Sequence, residues 1–297
     1  MAHTNENIFN YDYVVIGGGT SGAVVARRLA EGDANSSVCL LEAGPSYADV
    51  ANSRMPGNWV LNKEKSHDWN YDIVAQKGCN NRIINAPRAR FLGGCSAING
   101  TVLARGAKAD YDRIAAMGNP GWNEVPQNPV EGEGGIDLYV LLCGPQARGT
   151  VRLSSNDSTC KPIIDHAYLE NDVDVAVLAE GCRIGHEVLM KGRGTKNIIA
   201  DPWPKTISHS MDLAAWKNHV RTVATTCFHP CGTCKMAPNT DPMGVVDNRL
   251  RVRNVEGLRV ADVSILPLIN NGHTQAPAYA IAEKVAHMVL QDTTVTC

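Results

Sequence analysis

Apolar and polar positions near the N-terminus fall into blocks that predict a strand, a helix and a second strand. A short apolar run covers Tyr13 to Ile16, and a second run covers Val38 to Leu41. A glycine-rich turn and the stretch Ala23 to Ala30, which we predict to be helical, lie between the two runs. Residues 11–45 therefore predict one βαβ unit of a parallel sheet.

Later blocks predict further strands and two helices. Apolar runs at 136–143, 149–153 and 258–262 are predicted strands. Asp172 to Met190 has few helix breakers and predicts a packing helix, and Ala276 to Leu290 predicts a second, long helix. The apolar positions of the first helix are Val173, Val177, Ala179, Ile184 and Val188, and those of the second are Ala278, Ile281, Ala282, Val285 and Val289.

Composition and charge indicate an ordinary globular protein and exclude several classes. The chain has 297 residues, of which 44% are apolar and 20% charged, enough for one large domain or two ordinary ones. A net charge of -2 without a Lys/Arg cluster argues against nucleic-acid binding, and the apolar runs are too short to span a bilayer. Residues 1–7 lack the basic start and apolar core of a secretory signal. We therefore expect a cytoplasmic protein whose 10 cysteines are mostly reduced.

The glycine-rich turn is the first candidate binding feature, with the pattern Gly17-x-Gly19-x-x-Gly22. The first glycine permits a tight turn, the second lets the backbone approach a pyrophosphate, and the third lets the helix pack on the strand. Glu42, at the end of the second strand, is placed to accept hydrogen bonds from an adenosine ribose. An acid at this position favours NAD or FAD over NADP. Similar turns also join strands to helices for steric reasons alone.

A second glycine-bearing loop lies in the stretch Arg88 to Arg105. Gly93 and Gly94 are adjacent and precede small polar residues and a predicted helix start. Such a loop allows the backbone to approach an anionic or planar ligand group closely, and Asn99 offers both a donor and an acceptor. As an isolated loop it could equally be a structural turn.

Taken together, these motifs resemble the glucose-methanol-choline family of flavin oxidoreductases. The matching blocks are, in chain order, Gly17 to Gly22, Leu41 to Pro45, Gly93 to Gly100, and the segments around His229 and His273. The resemblance implies an α/β fold, with a Rossmann-like FAD-binding domain built on a parallel sheet and a reduced α+β substrate-binding portion. It also implies FAD in place of a nicotinamide. Ile98 stands where some members tether the flavin through a histidine, so the implied FAD is noncovalent.

The resemblance also implies roles for individual residues. Histidine titrates near neutral pH and can take an alcohol proton while a hydride leaves the same carbon for flavin. The match implies that His229 is this base and that His273 lies opposite it and binds the substrate oxygen. Asp262 corresponds to an aspartate near the FAD ribityl or pyrophosphate region. The implied FAD contacts are Gly17, Gly19, Thr20, Ser21, Gly22, Glu42, Ala43, Arg88, Gly93, Gly94, Ser96, Asn99, Gly100, Asp262, Thr274, Gln275 and Pro277.

Three cysteines near His229 allow a different interpretation. Cys231 and Cys234 have a spacing that suits zinc or a redox pair, and Cys227 is close in sequence. No second cysteine pair completes a set of four ligands. Packing thiols are therefore the simpler account, and we expect no metal.

The chain departs from the family in its middle. Members carry a long central insert after the region of Gly121 and Trp122, where this chain has a connector rich in glycine and proline. We expect residues 11–125 and 226–290 to form the FAD-binding domain and residues 136–225 the reduced substrate-binding portion. The surface left by the missing insert is a candidate interface for a homo-oligomer.

Three functions compete at this point. The first is an FAD-dependent oxidase or dehydrogenase acting on a small-molecule alcohol. The second is a non-redox lyase or isomerase on the same scaffold, and the third is a truncated, non-catalytic paralogue that acts through protein interaction. We expect no nucleic-acid or membrane partner in any of the three.

Overall fold

The computed structural model describes residues 9–54, 61–62, 65–100, 138–197, 199–202, 207–208 and 210–294. Its strands are β1 (Tyr13–Ile16), β2 (Val38–Leu41), β3 (Tyr71–Asp72), β4 (Asn85–Ala86), β5 (Thr150–Arg152) and β6 (Ile163–Asp165) within these ranges. The α-helices in the same ranges are α1 (Gly22–Gly32), α2 (Asp172–Lys191), α3 (Leu213–Val223) and α4 (Gln275–Thr294).

The predicted N-terminal βαβ unit is confirmed. β1 and β2 pair in parallel, with Tyr13 opposite Val38. Gly17, directly after β1, has a φ of 95°, in the region that favours glycine. A Cβ on Gly22 would lie 1.9 Å from the carbonyl oxygen of Gly17. The helix can therefore begin this close to the turn only because residue 22 is glycine.

A first core forms where α1 packs against α4, so that the two ends of the chain meet. Ser21 Oγ donates a hydrogen bond to the carbonyl oxygen of Ala278 at 3.0 Å, which joins the starts of these two helices. The buried residues of this first core are Val25, Leu29, Val246, Leu250, Ile265, Leu266, Ile281, Ala282, Val285 and Ala286. The nucleotide-type βαβ unit is thus completed by residues more than two hundred positions later.

A second core forms between α2, α3 and the antiparallel hairpin β3–β4. Both helices have side-chain N-caps, because Asn171 accepts from the amide of Val173 at 2.8 Å and Asp212 accepts from the amide of Ala215 at 2.8 Å. The buried residues of this second core are Ile73, Cys79, Ile84, Leu169, Val175, Leu178, Ala179, Cys182, Trp216, Val220 and Ala224.

The two predicted helices are confirmed as α2 and α4, but three of the apolar positions noted in the first helix lie outside the core. Val173, Ile184 and Val188 are exposed, at 57%, 49% and 59%. The helix instead packs the face of Val175 and Leu178 against α3 and the hairpin. In α4 the predicted face is the buried one. The sequence analysis did not predict α3 or the hairpin β3–β4.

The predicted strands have mixed outcomes. Residues 149–153 contain β5, which pairs with β6 in antiparallel fashion. Residues 138–143, the described part of the predicted strand 136–143, form no strand. Leu138 and Val140 instead lie against Gly185 and Gly181 of α2, where the missing side chains leave room. An apolar run that packs into a helix groove needs no strand partner, and apolar patterning alone does not separate the two cases.

The predicted strand 258–262 is also wrong, since it contains a single bridge, between Arg259 and Arg251. The guanidinium of Arg259 donates to the carbonyl oxygen of Arg249 at 2.6 Å and to Asp292 of α4. Two backbone hydrogen bonds, from the amide of Val260 to Leu250 and from the amide of Val252 to Leu258, also hold this segment. The connector after Trp122 lies outside the described residues. The proposed division into two domains stays a prediction. No helix of the described ranges has the length and apolar character needed to cross a membrane.

Candidate active site

The two predicted glycine loops lie directly against each other. The amide of Gly93 donates to the carbonyl oxygen of Gly18 at 2.8 Å. A Cβ on Gly94 would lie 2.6 Å from the Cα of Gly19, and Gly94 has a φ of 57°. Close backbone contact of this kind excludes a side chain at Gly94. The structure therefore unites the first and second glycine motifs into one cradle, which we call the glycine cradle (Gly17–Gly22 with Gly93 and Gly94).

The glycine cradle fits the pyrophosphate of a dinucleotide. The amides of residues 19–22 donate to no acceptor in the described parts of the chain. The N-cap residue of α1, Ser21, makes no side-chain capping bond, and the first turn of the helix holds no acidic residue. Unpaired amides at a helix N-terminus, with no carboxylate to neutralise them, favour a bound anion. Thr20 lies within this turn and lines the cavity described below.

Glu42 is held by backbone amides of both neighbouring turns. Its carboxylate accepts from the amide of Gly18 at 2.8 Å and from the amide of Gly44 at 2.9 Å. A carboxylate has about four lone-pair sites, so two remain for a ribose hydroxyl. Ala43 follows it at the end of β2. Ribose binding by Glu42 stays a prediction.

The two predicted histidines are in direct contact. His229 Nε2 and His273 Nδ1 are 2.6 Å apart, and the rings lie nearly perpendicular, at 82°. His229 Nδ1 is 3.0 Å from Oγ1 of Thr274, the buried residue that precedes α4. The sequence analysis expected the imidazoles to face each other across a substrate, whereas here they are hydrogen-bonded to each other. Which of them acts as a base stays a prediction.

Burial keeps both imidazoles in the neutral form. Burial, then the neighbouring His273 and the positive charge of Arg88, lower the pKa of His229 to about 4. Burial also lowers the pKa of His273. A neutral imidazole offers one free lone pair and can therefore accept a proton at neutral pH.

Arg88 contacts the backbone of the residue that precedes His229. Its Nη2 donates to the carbonyl oxygen of Phe228 at 2.8 Å. Phe228 has a φ of 64°, a strained value for a residue with a Cβ. Arg88 therefore supports the turn that presents His229. The family resemblance implies a cofactor contact for Arg88, whereas its bond to Phe228 has no signal in a single sequence.

The remaining predicted residues occupy three places. Asn99 Nδ2 donates to Gln275 Oε1 at 3.1 Å, which joins the second glycine loop to α4. Ser96 Oγ donates to the carbonyl oxygen of Gly93 at 2.7 Å. Asp262 caps a short 3-10 helix by accepting from the amide of Ser264 at 2.8 Å. Each of these polar side chains thus has a structural contact of its own.

One cavity connects these features. Its volume is about 3760 Å³, several times the roughly 300–1,000 Å³ of typical small-molecule sites. Glu42, Ala43, Gly93 and Pro277 are not among its lining residues. The predicted residues that do line it are Gly17, Gly19, Thr20, Ser21, Gly22, Arg88, Gly94, Ser96, Asn99, Gly100, His229, Asp262, His273, Thr274 and Gln275.

Asp174 contributes to this cavity and was missed by the sequence analysis. It is 2% exposed, and its two oxygens accept from the amides of Gln146 and Ala147 at 2.8 Å and 2.9 Å. These contacts fix the segment 144–148 along the cavity wall. In the sequence, Asp174 is indistinguishable from an ordinary acid in the first turn of a helix.

Burial sets the protonation state of two of the cysteines near His229. Burial raises the pKa of Cys227 and of Cys231 to about 11, so both thiols are protonated at neutral pH. Cys227, Cys231 and Cys234 are all free. Across the described ranges, no group of three or more His, Cys, Asp or Glu side chains is placed to hold a metal ion.

Comparison with known proteins identifies the family. The N-terminal family model for GMC oxidoreductase matches residues 11–131, and the C-terminal model for GMC oxidoreductase matches residues 145–282. The chain belongs to the GMC oxidoreductase family. The resemblance stated from the motifs is therefore confirmed.

The alignments with GMC relatives cover part of this chain and a smaller share of each relative's own length. An uncharacterized GMC-type oxidoreductase of Mycobacterium tuberculosis is 37% identical over 157 residues, covering 52% of this chain and 29% of that protein. Patulin synthase of Aspergillus clavatus is 35% identical over 164 residues, covering 55% of this chain and 26% of that enzyme. The chain thus spans less than a third of the length of the curated relatives it matches.

Solved GMC structures share the fold at low sequence identity. A formate oxidase of Aspergillus oryzae RIB40 has a TM-score of 0.81 and 16% identity, covering 95% of this chain and 98% of that chain. Pyridoxine 4-oxidase from Mesorbium loti has a TM-score of 0.75 and 19% identity, covering 94% of this chain and 99% of that chain. The expected Rossmann-like α/β fold is confirmed at this level, and the described part of its parallel sheet is β1 and β2.

Proposed function

We propose that this GMC protein is an FAD-dependent oxidoreductase that oxidises a small-molecule alcohol, with the His229–His273 pair receiving the alcohol proton. One observation carries the proposal: the glycine cradle and the hydrogen-bonded imidazoles line the same cavity. Family membership supports oxidoreductase chemistry. The activity, the substrate and the cofactor of the whole protein are all parts of what we propose.

FAD is the cofactor that the glycine cradle fits best. The free amides at the start of α1 suit its pyrophosphate, and Glu42 is fixed where a ribose would be recognised. Position 98 carries isoleucine, which cannot bond covalently to a flavin, so the binding is proposed to be noncovalent. When bound, the flavin of FAD supplies the hydride acceptor.

Residues of this chain accept the proton of the alcohol. An alcohol loses its O–H proton more easily to a neutral imidazole than to water, because the imidazole is positioned and unprotonated. Burial supplies the unprotonated form by lowering the pKa of both His229 and His273. The strained turn at Phe228 and its bond to Arg88 hold the first imidazole in place.

The absorbance spectrum of the purified protein between the near ultraviolet and blue tests the proposal. We expect flavin bands that bleach when an alcohol is added without oxygen, and flavin that passes into the supernatant after acid precipitation. Colourless protein that cannot be reconstituted with FAD would contradict the proposal. Flavin retained in the acid pellet would refute the noncovalent attachment.

The absorbance spectrum, together with assays of turnover and of partner binding, separates the competing functions. Flavin that stays oxidised while a substrate is consumed would favour a lyase or isomerase. Protein that binds a partner without any turnover would favour a non-catalytic paralogue. No contact of the described residues favours either of these two over the redox function.

A further inference from the structure

Helix α2 carries a row of apolar side chains on the side that faces away from the second core. The row consists of Val173, Val177, Ile184 and Val188, at successive intervals of four, seven and four residues. With 3.6 residues per turn, these intervals place all four side chains within about 60° of the helix circumference. The side that packs into the second core lies nearly opposite. We call this row the α2 ridge.

The α2 ridge is open to solvent and continues beyond the helix. Three of its four side chains are about half exposed or more, and Val177 is partly exposed. Leu138, which is 41% exposed, lies against Gly185 of the same helix and widens the apolar surface on one side. Single exposed apolar side chains are ordinary, but a contiguous row along a helix about 30 Å long is typical of an interface.

Charged side chains border the other side of the α2 ridge and pair with one another along the helix. Arg183 lies 2.7 Å from Glu180 and 2.9 Å from Glu187, and Lys191 lies 2.5 Å from Glu187. These ion pairs hold the charged groups in a line next to the apolar row. An apolar centre with a polar margin is the usual arrangement of a protein–protein interface.

The two ends of α2 carry opposite charges. Glu170 and Asp172 are exposed at its start, and Lys191 and Arg193 are exposed at its end. A second copy of the helix in the antiparallel direction brings the acidic start of each copy to the basic end of the other. A parallel copy would bring like charges together. Charge complementarity therefore favours an antiparallel partner with the same sequence.

The spacing of the α2 ridge is the same when it is read in reverse. Intervals of four, seven and four residues are symmetric about the middle of the ridge, between Glu180 and Gly181. In an antiparallel pair with a two-fold axis at this point, Val173 of one copy lies opposite Val188 of the other. A two-fold dimer requires a surface that is complementary to itself in this way.

We propose that this protein forms a symmetric homodimer in which the α2 ridges of two copies pack against each other in the antiparallel direction. The side chains of the ridge form the apolar centre of the interface, and the oppositely charged helix ends fix its direction. The interface uses the side of α2 that the second core leaves uncovered. The inference does not depend on the proposed redox function.

Sedimentation equilibrium of the full chain over a range of concentrations tests the dimer. We expect a reversible equilibrium between monomer and dimer. Ile184→Glu puts a charge into the ridge and should weaken dimerisation by about 100-fold or more. Met243→Glu, at an apolar side chain that is 74% exposed outside the ridge, is the matched control and should leave it unchanged. Circular dichroism verifies that both variants are folded. A monomer at every concentration, or equal dimerisation of the two variants, overturns the proposal.

Charge reversal at the helix ends tests the antiparallel direction. One variant combines Glu170→Lys with Asp172→Lys, and the other combines Lys191→Glu with Arg193→Glu. At low ionic strength each variant alone should dimerise about tenfold more weakly than the unsubstituted protein, because like charges then meet at both ends. An equimolar mixture of the two should recover the original affinity. Unchanged self-association of either variant, or a mixture that associates no more tightly than its components, overturns the antiparallel arrangement.

Discussion

At the scale of single residues, the pKa of His229 is lower in the folded protein than it would be in water. Its pKa falls from 6.5 to about 4, first because of burial and then because of His273 and Arg88. The folded state therefore binds fewer protons than the unfolded chain between these two values. By linkage, the free energy of unfolding decreases as the pH falls through this window and is unaffected by His229 above it.

Replacing His229 by glutamine should remove this dependence. We expect the wild-type protein to lose on the order of 2 kcal/mol relative to His229→Gln between pH 7 and pH 4, an amount already reduced for the partial exposure of the ring. Urea unfolding of both proteins at a series of pH values measures the difference. Parallel curves for the two proteins would show that His229 titrates normally.

Residue identities in the site were largely predictable, but residue partners were not. Motif spacing located Glu42 and the two glycine motifs, and the family resemblance located both histidines. It could not show that the imidazoles bond to each other, or that the amide of Gly18 donates to Glu42, since these contacts join positions 44 and 24 residues apart. Such contacts depend on packing, which a single sequence does not record.

At the scale of elements, α2 acts as a support for the cavity wall. Asp174 in its first turn accepts two amides from the segment 144–148, while Gly181 and Gly185 make room for Val140 and Leu138. Helix length was predictable, since the pattern indicated 172–190 and α2 ends at Lys191. The buried face was not, because apolar residues occur on several sides of this helix and only the position of α3 decides which side is covered.

Asp174→Ala should therefore destabilise the protein by about 1–3 kcal/mol, since two partly buried amides lose their acceptor. Asp172→Ala in the same turn is the matched control, because the Asp172 side chain is 95% exposed and its pairing with Arg221 is a surface ion pair. We expect the control to cost about 1 kcal/mol or less. Chemical denaturation of the three proteins measures both changes, and equal losses would exclude the support by Asp174.

At the scale of the whole molecule, the glycine cradle is linked to α4 by the hydrogen bond from Ser21 to Ala278. A ligand that binds only the folded state raises its stability, so FAD at about a hundredfold excess over its dissociation constant should add about 2.7 kcal/mol and several degrees to Tm. Gly94→Ala would press a methyl group against the Cα of Gly19 and should abolish this rise.

The control for this experiment is Gly194→Ala, at a position where a Cβ meets nothing within 4 Å. Differential scanning calorimetry with and without FAD compares the three proteins. A ligand-induced rise that persists in Gly94→Ala would show that FAD binds elsewhere, and no rise in the unsubstituted protein would show that FAD does not bind. The parallel βαβ unit of β1, α1 and β2 was predictable from the sequence. The packing of the second core was not, because α3 and the hairpin β3–β4 have no distinctive motif.

The hydrogen bond from Ser21 to Ala278 joins residues 257 positions apart. At ordinary translation speeds the ribosome needs roughly ten to fifty seconds to travel that distance. During this interval α1 has been synthesised but α4 has not, so the apolar face of α1 remains exposed to solvent. Newly made chains should therefore depend on chaperones, and a premature stop codon before residue 275 should yield a product that is degraded quickly, even though every N-terminal binding residue is present.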